Sequence, residues 1–215
     1  MFNLCIMIQT TTEHIDKKEA ILAVAEKLFS EQDFDAVSVR DIAKEANVNI
    51  AMISYYFGSK EKLFEAVIIR RIESAINILK EMTSSESTGY AKMERVIDYY
   101  IGKLVNNRNV HKMINRELSS NNRPHLRDLI MARMRANREF IKEIMVQGIK
   151  EGEFKPDMDI DMTIMNFFGT IQHMVGASYY SCDMFDKKTD AELFTPEFTE
   201  RLKAYFKNSS KHNLL

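Results

Sequence analysis

Apolar positions along this chain recur at intervals of three and four for most of its length, the period of helices that each bury one face. Over residues 17–32, Ile21, Leu22, Val24, Ala25, Leu28 and Phe29 form such a stripe with charges between them. Phe34-Asp35-Ala36-Val37 interrupts it. Ser38-Val39-Arg40-Asp41 then places a hydroxyl at a helix start with an acid three residues on, which is a capping-box pattern. The short helix this opens, residues 39–46, ends at Asn47, whose side chain suits the left-handed backbone of a helix end. Asn49 is placed to N-cap the next helix, residues 50–57. Two short helices across a three-residue turn make a helix-turn-helix, with Ile42, Ala43, Val48, Ile53 and Phe57 as its small core. Ser59-Lys60-Glu61-Lys62 opens a long helix reaching about residue 82.

The run Thr83-Ser84-Ser85-Glu86-Ser87-Thr88-Gly89 is the clearest loop in the chain. Beyond it the pattern predicts helices over residues 90–106, 110–119, 124–151, 160–180 and 196–208, bordered by Asn-Asn, Asn-Asn-Arg-Pro, Gly152 with Pro156, and Thr195-Pro196. The fold class expected is therefore all-α, a three-helix N-terminal domain followed by a larger helical domain. Seven Gly and three Pro in 215 residues support this, because strands need frequent turns.

Charge and chemistry narrow the functions open to such a chain. Lys and Arg number 30 against 31 Asp and Glu, so bulk charge announces no polyanion partner. Locally, residues 13–62 hold seven basic and ten acidic side chains, a net of −3, yet residues 46–60 contain no acid. Cys5 and Cys182 are too few and too far apart for a disulfide framework or a Cys-based zinc site, and reduced thiols in the cytoplasm are expected. No stretch is long and apolar enough for a membrane helix, so no membrane partner is expected. Residues 1–16 read as an N-terminal extension, with Met7 an alternative start. The Glu-x-x-His pair, His-Glu-x-x-His, Gly-x-Ser-x-Gly, the phosphate-cradling loop and the dinucleotide fingerprint are all missing. No catalytic residue, metal site or cofactor is expected.

The residues from Ser38 to Leu63 carry a resemblance. Ser38-Val39-Arg40-Asp41-Ile42-Ala43, Ala46-Asn47-Val48-Asn49 and Ile53-Ser54-Tyr55-Tyr56-Phe57-Gly58-Ser59-Lys60-Glu61-Lys62-Leu63 resemble the DNA-binding domain of TetR-family bacterial transcription regulators, over about residues 20–64. Asn47 stands where that family commonly has Gly, and Asn49 where Ser or Thr is usual; both keep the capping chemistry. The resemblance implies a DNA-binding domain over residues 17–64 and a ligand-binding and dimerisation domain over residues 65–210. Asn49, Ile50, Ala51, Ser54 and Tyr55, near the start of a recognition helix, are candidates for reading bases in the major groove. Tyr56 and Lys60 are implied as phosphate contacts, with partial core burial the alternative for Tyr56, and Arg40 is either a further phosphate or base contact or a solvated surface residue.

In the larger domain, Thr163, Asn166, Thr170 and His173 fall on one stripe of an otherwise apolar helix. They are either the polar handle of a ligand cavity or a modest solvent face. The 14 Met residues suit a pocket for varied apolar ligands and equally an ordinary core. Residues 103–142 carry ten basic against three acidic side chains, which nominates Arg116 or Arg127 for an anion and is otherwise explained by solvated faces. Phe198, Leu202, Tyr205 and Phe206 form one apolar face of the last helix and are the expected dimer interface. The expectation is a cytoplasmic homodimer that binds a double-stranded DNA operator and a small-molecule effector, most simply as a repressor. A helical protein-protein adaptor on a helix-turn-helix scaffold and a cryptic helical enzyme are the alternatives.

Overall fold

The computed structural model describes the backbone of residues 2–212 and the side chains of residues 17–209. Among the described residues the chain forms eleven helices and no strand. The expected extension, residues 1–16, lies outside the side chains described. Two units divide the chain, Met1–Arg71 and Ile72–Leu215.

The first unit contains α1 (Phe2–Glu31), α2 (Val39–Glu45), α3 (Ile50–Phe57) and the start of α4 (Lys60–Thr83). Its core is nucleated by three rings: Phe29 of α1 stands 5.7 Å from Phe34 and 4.8 Å from Phe64 of α4, and Phe34 and Phe64 are 5.0 Å apart. Phe34 and Val37, which break the helical pattern in the sequence, are buried and fasten the connector to this core. The two short helices are specified locally. Asp41 donates its backbone N–H to Ser38 Oγ at 3.1 Å, and the Ser38 N–H returns to Asp41 Oδ2 at 3.3 Å. Asn47 takes φ 52°, where its short amide side chain costs little, and Val48 N–H reaches Ala43 O at 3.0 Å to close α2.

The second unit contains the rest of α4 with α5 (Gly89–Asn106), α6 (Arg108–Ser119), α7 (Pro124–Lys150), α8 (Ile160–Gly176), α9 (Ser178–Met184), α10 (Asp190–Leu193) and α11 (Pro196–His212). Helix α5 sits at its centre, packed on α7, α8 and α11, and buries Met93, Val96, Ile97, Tyr100, Ile101 and Leu104. The expected helix over residues 160–180 is two helices, because Ala177 leaves helical geometry at φ −111° and ψ 48° just after Gly176. Glu117, buried in α6, accepts two bonds of 2.9 Å from Arg123 and so ties the α6–α7 turn.

The expected dimer face on α11 is largely spent inside the protomer. Leu202 and Phe206 belong to the buried core and Phe198 packs half-buried against it, so of the four only Tyr205 is exposed. An amphipathic face shows that something covers it, and here the rest of the same chain does.

The connector between α7 and α8 is anchored at two points. Gly152 turns the chain at φ 75°, and Glu153 and Phe154 both donate their N–H groups to Gly148 O, at 2.8 and 3.2 Å. Glu153 Oε2 accepts the Tyr90 N–H at 3.0 Å in the first turn of α5, while the Phe154 ring is buried. Residues 155–159, immediately after this anchor, are thereby held against the body of the unit.

Candidate nucleic-acid interface and effector cavity

Helix α3, Ile-Ala-Met-Ile-Ser-Tyr-Tyr-Phe, carries no charged side chain. Its Ile53 is buried in the unit's core, which puts Ala51 and Tyr55 on the opposite face, with Ile50 and Ser54 on the flank between; all four are exposed, Tyr55 by 75%. Asn49 Oδ1 accepts the Ala51 N–H at 2.9 Å, so its carbonyl oxygen is occupied in capping the helix. Its amide NH₂ is the part left to face outward. Tyr56 is half-buried, with its ring 5.1 Å from Tyr55 and 6.3 Å from Phe57. Arg40 is exposed on α2. Lys60 begins α4, half-buried, with its ammonium 4.2 Å from the centre of the Phe34 ring. The ring thus holds the ammonium of Lys60 at a helix N-terminus, which is where a phosphate would be held.

The second unit contains a half-open cavity of about 560 Å³. Its interior is apolar: Met93, Val96 and Ile97 of α5, Ile141 and Met145 of α7, Ile164 and Phe167 of α8, and Phe206 of α11 are all buried. Its rim is polar, formed by Lys155, Asp157 and Asp159 of the anchored connector, Thr163 and Asn166 of α8, and Ser209 of α11. Met158, Met162 and Phe168 complete the wall. An apolar interior under a polar mouth accepts a molecule with a hydrocarbon body and a hydrated end.

The structure divides the polar stripe of α8. Thr163 and Asn166 line this cavity, whereas His173 borders a separate groove of about 410 Å³ between α6 and α8, beside Asn115, Ser119 and Gln172, and Thr170 lines neither. The Thr163 and Thr170 hydroxyls each donate to the carbonyl four residues back, at 2.8 Å, which removes their donors from ligand recognition. His173 is exposed and stacks edge-on with Tyr180 at 5.5 Å. Asn166 is also exposed, at the rim and not in the interior. Of the two nominated arginines, Arg127 donates to Asn121 at 2.7 Å and Arg116 is exposed. Sequence reasoning did not find Lys155 and Asp157; the signal available was a Gly-to-Pro connector between two apolar helices. Cys182 is buried and unbridged, and Cys5 lies outside the described side chains.

Known proteins share both the helix-turn-helix and the helical body that follows it in sequence. Residues 21–67 match the family described as bacterial regulatory proteins, tetR family, and residues 68–196 match the C-terminal region of YsiA-like proteins. The chain belongs to the TetR family. TetR-family proteins are DNA-binding transcription regulators, not enzymes, and the resemblance seen around the helix-turn-helix extends to the whole architecture. Among curated relatives, the fatty acid metabolism regulator protein of Bacillus subtilis is 26% identical over 155 residues, 72% of this chain and 79% of that protein. The fatty acid degradation regulator FadR of Bacillus halodurans shares the fold with a TM-score of 0.71 at 19% identity, covering 89% of this chain and 94% of that one. FadR of Bacillus subtilis, solved in complex with stearoyl-CoA, gives a TM-score of 0.69 at 24% identity over 87% of this chain and 96% of that one. No helix among the described residues is long and apolar enough to cross a membrane.

Proposed function

We propose that this TetR-family regulator is a cytoplasmic, homodimeric repressor that binds a pseudo-palindromic DNA operator and is released by an amphipathic effector with a long apolar body. The single observation that carries the reading is the apolar cavity of the second unit, in a chain whose first unit presents an uncharged, outward-facing recognition helix. The stearoyl-CoA held by the related FadR supports an extended hydrocarbon as the part that enters. Ile50, Ala51, Ser54 and Tyr55 read base edges, with Ile50 and Ala51 suited to thymine methyl groups. Tyr56, Lys60 and Arg40 hold phosphates. Thr163 and Asn166 act at the cavity mouth.

Release requires that the effector bind the arrangement unable to hold DNA more tightly than the one that can. Selection from random duplexes with the full chain tests the reading. It should yield paired half-sites with centres about one helical turn, roughly 34–36 Å, or a multiple of that apart. Addition of a C14 to C18 amphiphile should then dissociate the complex. Recovery of isolated half-sites would sink the dimeric operator, and recovery of no DNA would favour the adaptor alternative.

A further inference from the structure

If the cavity is the effector site, the chemistry of its mouth selects among the amphiphiles that its apolar interior admits. The rim contains one cation against two carboxylates. Lys155, half-buried, is engaged within the protein. Asp157 and Asp159 are exposed at the opening. A helix start would ordinarily draw an anion, and α8 begins at this mouth. That position is already filled, since Asp159 Oδ1 accepts the Met162 N–H at 3.0 Å and Asp161 adds a second acid to the first turn. Two lysines on neighbouring helices are held by acids of their own. Lys142 of α7 pairs with Asp161 at 3.0 Å, and Lys207 of α11 with Asp98 at 2.8 Å. Thr163, its own proton given to the backbone, offers only lone pairs. The mouth therefore sets two carboxylates against one cation, a net negative charge, while the Asn166 amide and the Ser209 hydroxyl can donate or accept.

We infer that the effector carries a hydrogen-bond-donating, non-anionic polar end, as in a long-chain amine or alcohol, and enters tail first with that end beside Asp157 and Asp159. A coenzyme A thioester, whose several phosphates would meet these carboxylates, is the disfavoured form of the same hydrocarbon. This separates the chain from the relative that holds stearoyl-CoA, although the two share a fold.

The experiment is calorimetric titration of the full chain with four molecules of one chain length: tetradecylamine, 1-tetradecanol, myristate and myristoyl-CoA, each below its micellar concentration. The amine and the alcohol should bind at least about tenfold more tightly than myristoyl-CoA. Asp157→Lys, an exposed change that leaves the core untouched, should weaken the amine and strengthen myristoyl-CoA by roughly fivefold each, with the alcohol unmoved. Tighter binding of myristoyl-CoA than of the amine by the unaltered protein overturns the polar-end assignment and leaves the cavity reading standing. An amine-to-CoA ratio that does not respond to Asp157→Lys also overturns it. Failure of all four molecules to bind overturns both.

Discussion

Phe154 lies so close on Gly148 that a Cβ added to the glycine would stand 2.3 Å from two of its ring carbons. The glycine is a structural requirement of the connector that carries Lys155, Asp157 and Asp159 to the cavity mouth. Gly148→Ala should therefore expel the ring, at a cost of about 1–3 kcal/mol for overpacking, despite the better helix propensity of alanine. Gly102, on α5, has nothing within 4 Å of the same added atom, so Gly102→Ala should stabilise by about 0.5–1 kcal/mol. Urea midpoints of the two variants should move in opposite directions, and a shift in the same direction would discredit the packing seen at Phe154.

Burial of Leu202 inside its own protomer changes what a charge there must do. Leu202→Asp should abolish cooperative unfolding, since an unpaired carboxylate in that core costs about 4 kcal/mol or more. Tyr205, on the same helix and 58% exposed, should tolerate Ser to within about 0.5 kcal/mol. Circular dichroism melts decide the matter: a well-folded monomeric Leu202→Asp protein would restore the interface expected from the sequence.

Lys60 is both a packed and a charged residue. Lys60→Ala should weaken binding to every DNA sequence alike and lower the slope of log affinity against log salt by about 1. It should also cost about 0.5–1 kcal/mol of stability through loss of the contact with Phe34. Lys60→Arg should keep both effects small. Affinities measured between low and high salt test the first, and an unchanged slope removes Lys60 from the phosphate contacts.

Tyr100 connects the core to alkaline pH. Burial, with smaller contributions from Tyr99, raises its phenol well above the ordinary value of 10.0, although a hydrogen bond with Asn137 pulls the other way. Above about pH 10 the unfolded chain gives up this proton while the folded protein keeps it, so stability is complete below that pH and declines as pH rises past it. Tyr100→Phe should flatten the decline. Denaturant midpoints across pH 7 to 11 supply the check; equal alkaline slopes would rule Tyr100 out as the cause.

Local chemistry made the first unit legible from sequence. The capping box at Ser38, the left-handed Asn47 and the cap at Asn49 each involve residues within a few positions, and α3 has the bounds its caps imply. The second unit was legible as helices but not as surfaces. Periodicity marks the face of α11 with Leu202 and Phe206 as apolar without saying which body covers it. It runs unbroken through Gly176 and Ala177, where the backbone turns aside. The polar stripe of α8 is real as a helical register, yet Thr163 and Asn166 meet a cavity that His173 does not, because curvature and neighbours decide what each turn faces. The contact of Phe154 with Gly148 depends on a bend made by Gly152, and spacing alone does not reveal it.

The absence of charge on α3 divides labour in a way that mutation can exploit. If α3 enters the groove as proposed, reading bases through methyl groups, hydroxyls and a capping amide, the attraction to DNA must come from residues elsewhere, such as Arg40 and Lys60. Substitutions at Ile50, Ala51 or Ser54 can then redirect the protein to a new operator while its hold on bulk DNA stays constant. On that reading, a duplicated copy of such a gene would be a few codon changes away from different promoters under the same chemical signal.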